Sequence, residues 1–246
     1  MSESKKNYRN LVVNGCSYTE TYASGNGHRD LASALGIDQA TSLAIGGSAN
    51  SRILRTTLKH SYQAAEPTLY VLGMTFISRS EIPILRPDDE FEGRWVNPQN
   101  QEFVAKWEHY WTPEKSRQFV ELKQLTEVYS LLDRTEDLMY HMLSVVHSLQ
   151  SRGHEVIMYQ QADDSYFSSL SNSRLAPFQS CSRIVNGFGF AAIGYQHQHG
   201  VAKLALSEKS FIGPKTVPDH MRHPEPGHHQ VINRFLADYI NKNVHL

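Results

Sequence analysis

The sequence predicts an α/β fold in which a parallel β-sheet is covered by helices. Between Asn10 and Met74, short apolar segments alternate with segments of helical spacing, in the order strand, helix, strand, helix, strand. This alternation is typical of βαβ units, in which each helix crosses over the sheet. The chain has 246 residues, a length that suits one domain with a large core.

Turn residues and apolar spacing define the first elements. The first strand is expected to end at a tight turn made by Gly15, and Gly36 stops the first helix because glycine suits the residue after a helix end. Ser48 or Asn50 is expected to cap the second helix, since both types accept hydrogen bonds from first-turn N–H groups. The strands are predicted at 10–14, 41–47 and 68–74, and the helices at 28–36 and 48–65.

Residues 83–115 interrupt this rhythm with several prolines, a glycine and all three tryptophans. We interpret them as an insertion or lid on a single domain that spans residues 1–246. Apolar residues then recur at helical spacing from Gln118 to Arg152, in one long helix or two in succession. A strand at 154–161 and an amphipathic helix at 224–242 complete the prediction.

Composition and charge exclude several classes of protein. The chain holds 24 Lys+Arg and 25 Asp+Glu, so bulk charge gives no support for a nucleic-acid or membrane-surface partner. Two cysteines build neither a disulfide framework nor a CxxC site. We see no signal peptide, and no apolar run reaches the roughly 20 residues of a membrane span. The expected location is the cytoplasm, or a virion if the protein is phage-encoded.

The first candidate for chemistry is Ser17, which follows the first strand and Gly15. Ligands of open α/β sheets bind at the carboxyl ends of the strands, so a serine placed there can meet a ligand. Gly46 and Gly47 follow the second strand, where backbone N–H groups can face an anion or a developing oxyanion. A cap or turn role for Ser17, and a plain turn at the glycine pair, are the alternatives.

Polar residues also follow the third strand. Thr75 can donate a hydrogen bond into the same crevice. Arg79 and Glu81 can form an ion pair that holds the loop. The alternative is an ordinary polar loop at a strand end.

A last polar group precedes the final helix. A nucleophilic serine needs a general base within reach, and the base needs an orienting carboxylate. Asp219 and His223 lie close enough in sequence for one loop to present both, with His220 between them. A capping aspartate with solvated histidines is the alternative. A metal site with His228 and His229 is disfavoured because no spacing matches a zinc signature.

In this order the segments resemble the SGNH (GDSL-like) hydrolase superfamily. The resemblance implies a flavodoxin-like three-layer α/β/α sandwich with a central parallel sheet of about five strands. It covers nearly the whole chain, through short motifs. The first and third motif blocks of the family match Gly15-Cys16-Ser17 and Gly73-Met74-Thr75. The glycine of the second block matches Gly47, or less well Gly46, and the fourth block matches Asp219 with His223-Pro224.

The resemblance implies a role for each matched residue. Ser17 attacks the ester carbonyl, His223 removes and returns its proton, and Asp219 orients the imidazole. The N–H groups of Ser17 and Gly47 form the oxyanion hole with the side chain of Thr75. Losing one such donor costs about 3 kcal/mol of transition-state stabilisation. Supporting positions are Gly15, Gly46, Asn50, Arg79, Glu81 and His220.

The chain departs from the family pattern at three points. Cys16 replaces an aspartate that takes no part in the chemistry. Thr75 replaces an asparagine, so the oxyanion hole has a shorter donor. Asp219 precedes His223 by four residues, where two or three is usual. The spacing Gly-x-Thr-x-x-x-Arg-x-Glu also resembles a divergent SGNH-like branch of tailed phages and environmental bacteria.

Cys16 itself is expected to point into the core as a small hydrophobic side chain. The rival interpretation makes Cys16 the nucleophile with a nearby histidine. It is disfavoured because a reactive thiolate needs a pKa-lowering environment, which the sequence does not indicate.

Two functions follow. The first is a serine esterase or deacetylase, without cofactor or metal, that cleaves an acyl ester on a carbohydrate or small molecule. Trp95, Trp107 and Trp111 motivate the carbohydrate, although packing of the insertion onto the core explains them equally well. The second is a catalytically weakened binding or structural module, such as part of a phage particle. Neither involves nucleic acid or membrane, and a homo-oligomer is left open.

Overall fold

A computed structural model gives the fold of this chain. It describes residues 8–46, 48–75, 82–83, 95–96, 131–160, 176–178, 180–185, 211–212, 223–224 and 229–244. At 82–83, 95–96, 131–134, 160, 211–212, 223–224, 229 and 231 the description is of the backbone alone.

The described elements alternate along the chain between strands and helices. The strands are β1 (Asn10–Gly15), β2 (Gln39–Ser42), β3 (Thr68–Met74), β4 (Ile82–Pro83), β5 (Trp95–Val96), β6 (Glu155–Gln160), β7 (Ile184–Val185), β8 (Phe211–Ile212) and β9 (His223–Pro224). The helices are α1 (Ser17–Ser24), α2 (Gly27–Leu35), α3 (Asn50–Gln63), α4 (Leu131–Ser151) and α5 (His229–Asn243).

Five strands form one parallel sheet in the order β2-β1-β3-β6-β7. When these five strands are numbered by their order along the chain, their order across the sheet is 2-1-3-4-5. This is the flavodoxin-like strand order. The predicted α/β class and the five-stranded parallel sheet are therefore confirmed. In this order the chain reverses direction across the sheet between β1 and β3, which makes a crevice at their carboxyl ends.

Helices cover both faces of the sheet, as the alternation of side chains in β1 and β3 requires. Leu11 and Val13 of β1 pack with α2 and α5 on one face. Val12 of β1 and the buried Tyr70 and Leu72 of β3 pack with α3 and α4 on the other. The three layers of a flavodoxin-like sandwich follow, because successive residues of a strand point to opposite faces.

Several predicted boundaries shift. β3 occupies the predicted residues, and α2 begins one residue early and ends before Gly36, whose backbone is left-handed (φ 68°). β2 lies at Gln39–Ser42 instead of 41–47, and α5 begins at His229 instead of 224. α4 covers 131–151 of the helix predicted at 118–152. α1 was not predicted at all.

The predicted cap of α3 is wrong. The N-cap residue is Ala49, and no side chain caps the helix. Ser48 instead donates to the carbonyl of Ile45 at 2.6 Å. Asn50 is the first residue of the helix, and its side chain is bonded elsewhere, as described below.

The predicted insertion is described only in part. β4 and β5 pair antiparallel in a small sheet of their own, outside the parallel sheet. The remainder of 83–115, including Trp107 and Trp111, lies outside the described residues. Within the described ranges, no helix is both long and apolar enough to cross a membrane.

A largely buried ion pair joins the start of β6 to the residue before β7, and its arginine also bonds to α5. Arg183 donates from Nε and Nη2 to the two carboxylate oxygens of Glu155, at 2.9 Å each. Its Nη1 donates to the carbonyl of Asn243 at 2.7 Å, near the end of α5. The side chains are 20% and 8% exposed, so water screens this pair only weakly.

We expect Arg183→Met to lower the free energy of unfolding by about 3 kcal/mol, because the buried Glu155 carboxylate loses its cationic partner and keeps only the bonds from Gln150 and the Val156 N–H. Urea denaturation measures the change. Arg234→Met removes an exposed arginine from α5 and should cost less than about 0.5 kcal/mol. Equal losses in the two variants would contradict the assignment of a stabilising role to this pair.

His154 makes stability depend on pH. Its Nδ1 accepts from the N–H of Thr68, and its Nε2 faces the carbonyl of Ser61, both at 3.3 Å. Burial lowers the pKa of His154 below 6.5, and the Ser61 hydrogen bond opposes this only in part. Below about pH 6.5 the unfolded chain therefore binds a proton that the native imidazole resists, so stability falls as the pH falls.

We expect the free energy of unfolding to be smaller at about pH 5.5 than at about pH 7.5, and His154→Gln to remove part of this dependence. Urea denaturation at both pH values measures it. His147→Gln, on the exposed face of α4, is the matched control. A pH dependence in His154→Gln identical to that of the wild type would contradict the prediction.

Candidate active site

The site begins where β1 and β3 end side by side. Gly15 and Gly73 are register partners in this parallel pair. Ser17 and Thr75 follow these two glycines at the same spacing, so both leave the same edge of the sheet on neighbouring strands. This edge lies at the switch point of the strand order, where open α/β sheets bind ligands.

Position 15 requires a glycine because other groups approach its backbone closely. A Cβ at this position would collide with the Thr19 side chain and would lie 3.0 Å from the carbonyl oxygen of Gly73. Gly15 is the last residue of β1, not the turn residue that the sequence predicts. The chain leaves the strand at Cys16, whose backbone is extended and which precedes the first residue of α1.

Ser17 and Cys16 differ in access. Ser17 opens α1 and is half-buried, so part of it meets solvent. Cys16 is fully buried and packs with Tyr18, which confirms its expected place in the core. A nucleophile must touch its substrate, so this difference favours Ser17 over Cys16.

Gly46 lies beside Ser17. After β2 the chain continues along β1, because Leu43 N–H donates to Val13 at 2.8 Å and Ile45 N–H donates to Gly15 at 3.3 Å. A Cβ on Gly46 would stand 3.6 Å from the Cβ of Ser17. The chain after β2 therefore lies beside Ser17, at the end of the sheet where β1 and β3 also end.

Asn50 fixes the end of β3. Its Nδ2 donates to the Thr75 carbonyl at 3.0 Å, and its Oδ1 accepts from the Thr75 N–H at 2.7 Å. Both residues are buried, at 4% and 0% exposure. The asparagine amide thus pairs with both main-chain groups of Thr75, as a neighbouring strand would, and holds the backbone of Thr75 against the start of α3.

Asn14 bonds the end of β1 to α3. The sequence analysis did not identify this residue. This fully buried side chain donates from Nδ2 to the Ile53 carbonyl at 3.0 Å, to Thr56 Oγ1 at 2.8 Å and to Thr57 Oγ1 at 2.9 Å. Its Oδ1 accepts from the N–H of Gly15 at 2.9 Å. A polar residue at the end of an apolar strand was the signal for it, because a buried amide needs partners.

Glu20 is the second residue that sequence analysis missed. It lies one turn after Ser17 on α1, and its side chain is exposed. Its Oε2 stands 2.7 Å from the point where a Cβ of Gly46 would be. The signal in the sequence was an acidic residue in the first turn of a helix that begins at the candidate nucleophile.

The predicted base is described only by its backbone. His223 lies in β9, which pairs with β8 and has Cα atoms within 8 Å of Cα atoms of α1. The chain segment of His223 thus lies against the helix that begins at Ser17. Gly47, Arg79, Glu81, Asp219 and His220 lie outside the described residues.

The described residues offer no metal cluster. Among them, no three His, Cys, Asp or Glu side chains are placed to share an ion.

We expect Asn50→Ala to lower the free energy of unfolding by about 2 to 4 kcal/mol, because both main-chain groups of Thr75 lose their partner in a buried place. Thermal or urea denaturation measures it. Asn10→Ala removes an amide whose bond to Glu66 is exposed and 3.4 Å long, and should cost less than about 1 kcal/mol. A cost for Asn50→Ala no larger than this control would count against the role of the pair.

A scan against protein-family models finds no match for the chain, and no curated protein matches it at a significant level. The function proposed below therefore depends on the geometry of the site and on the order of the sequence motifs.

Proposed function

We propose that this protein is a serine hydrolase that cleaves acyl esters, with Ser17 as nucleophile. One observation carries the proposal. Three strand ends converge on a partly exposed serine that opens a helix, and the segment of His223 lies against that helix. The resemblance of the ordered motifs to the SGNH superfamily supports the same assignment.

The reaction has two steps. Ser17 Oγ bonds to the ester carbonyl carbon while His223 accepts the serine proton, and Asp219 holds the imidazole in place. The carbon–oxygen bond to the alcohol then breaks, and the alcohol leaves with the proton from His223. Water, activated by His223, releases the acyl group as a carboxylic acid and restores Ser17.

The negatively charged oxygen of the tetrahedral intermediate needs hydrogen-bond donors. The N–H groups in the first turn of a helix have no acceptor within that helix, and Ser17 is the first residue of α1. The N–H of Gly47 and the hydroxyl of Thr75 complete the proposed oxyanion hole. The acyl group is carried by a carbohydrate or a small molecule.

A second candidate is a binding or structural module with weakened catalysis. The burial of Thr75 favours it, because a fully buried hydroxyl lies beneath the surface that a substrate touches. A weak third donor lowers the rate, since each donor of an oxyanion hole contributes about 3 kcal/mol.

We expect wild-type protein to hydrolyse short p-nitrophenyl esters, and Ser17→Ala and His223→Ala each to lower kcat/KM by at least about a thousandfold. Ser24→Ala, an exposed serine at the other end of α1, is the matched control and should retain full activity. Release of p-nitrophenolate measures the rate, and circular dichroism checks that each variant is folded.

The outcomes separate the two candidates. Loss of activity in the Ser17 and His223 variants alone supports the hydrolase. A Ser17→Ala variant as active as wild type overturns it. An inactive, folded wild type favours the binding module, whose partners can then be sought by light scattering and cross-linking.

A further inference from the structure

The Glu20 carboxylate lies at the mouth of the site. Around the point where a Gly46 Cβ would stand, Glu20 Oε2 lies at 2.7 Å and the Cβ of Ser17 at 3.6 Å. Gly46 thus leaves room for a carboxylate next to the nucleophile. A side chain at position 46 would displace the exposed end of Glu20.

This carboxylate has no cationic partner among the described residues. No Lys, Arg or His side chain in the described ranges forms a salt bridge with it, and the glutamate is exposed. A fixed negative charge here opposes the negative charge that ester hydrolysis develops near Ser17. A cationic group on the substrate would offset this repulsion.

One exposed apolar side chain lies next to Gly46 in the chain. Ile45 precedes Gly46 and keeps 46% of its surface exposed, which makes it one of few large apolar side chains so placed in the described part of the chain. A single carboxylate next to an alkyl surface suits an organic ammonium group. It does not suit a divalent metal ion, which takes several oxygen ligands.

We propose that Glu20 is a specificity-determining residue that binds an ammonium group on the ester substrate. The proposal rests on the hydrolase function and names its substrate class, an ester with a quaternary or protonated amine. The ammonium group lies between Glu20 and Ile45, while the ester carbonyl lies at Ser17. The carboxylate binds the substrate and takes no part in bond making or breaking.

Two matched pairs of esters test this. The first is acetylcholine against its carbon isostere, in which a tert-butyl group replaces the trimethylammonium group. The second is glycine p-nitrophenyl ester against p-nitrophenyl propanoate, which moves the ammonium group to the acyl side. We expect kcat/KM to favour the cationic member of at least one pair by about fivefold to tenfold at low salt.

Glu20→Gln should lower this preference by about fivefold to tenfold, mainly by raising KM for the cationic esters. It should not lower kcat/KM on the neutral esters, because it also removes the charge that repels the developing oxyanion. Asp38→Asn removes an exposed charge next to the amino end of β2, at the opposite edge of the sheet, and should keep the preference. Added salt should weaken the preference in wild type, because the site is exposed. A merely structural role of Glu20 would change the melting temperature and leave the preference intact.

The outcomes are distinct from those of the hydrolase test. Wild type that cleaves both members of each pair equally overturns the role of Glu20 and leaves the hydrolase standing. If wild type cleaves no ester, the hydrolase fails, and choline alone decides: binding of choline but not of its tert-butyl isostere, seen by NMR titration and lost in Glu20→Gln, supports the cation site. Absence of that binding overturns it.

Discussion

The buried amide of Asn14 is the interaction on which the site depends. Its Nδ2 carries two hydrogens and faces three acceptors on α3, so the bonds are shared among the Ile53 carbonyl and two threonine hydroxyls. Its Oδ1 holds the N–H of Gly15. The carboxyl end of β1 is thereby bonded to α3, and the start of α3 carries Asn50 against Thr75. Two asparagines thus fix three chain segments around Ser17.

The sequence predicts well those parts of the fold in which the apolar residues are the buried ones. β3 is apolar and buried along its length, so its predicted and observed bounds coincide. The edge strand β2 alternates between exposed and half-buried residues. Its bounds follow from pairing of Gln39 with Asn10, which local composition does not encode. Helix α1 was missed because its buried face consists of tyrosines and a threonine, so it shows no apolar periodicity.

Tertiary contacts explain the remaining misses. Asn50 has the chemistry of a helix cap, yet its amide binds the N–H and the carbonyl of Thr75, because these buried main-chain groups need hydrogen-bond partners. The residues before α5 were read as the start of a helix, whereas His223 and Pro224 pair with β8. Each miss occurs where a distant segment supplies the hydrogen-bond partner.

The site was predictable to the extent that it depends on the order of strand ends. Ser17, Gly46 and Thr75 each follow a strand of one parallel sheet, and parallel strands end at a common edge, so the topology puts all three at the same end of the sheet. The need for glycine at position 15 was predicted for the wrong reason. Its cause is the close approach of Thr19 and of the neighbouring strand, which depends on the Gly15–Gly73 register. The register of two parallel strands cannot be predicted from the residues around either strand.

The first turn of α1 carries both N–H groups that attract negative charge and the Glu20 carboxylate, which repels it. Its N–H groups favour negative charge near Ser17, and the same helix end stabilises the Glu20 carboxylate. An acidic residue in the first turn of a helix is therefore ordinary, but its approach to Gly46 is not, because the carboxylate then borders the same space as Ser17, the proposed nucleophile. In the proposed hydrolase, a bound ester would meet hydrogen-bond donors on one side and a carboxylate on the other. Which end of the ester lies toward Gly46 thus depends on charge as well as on shape.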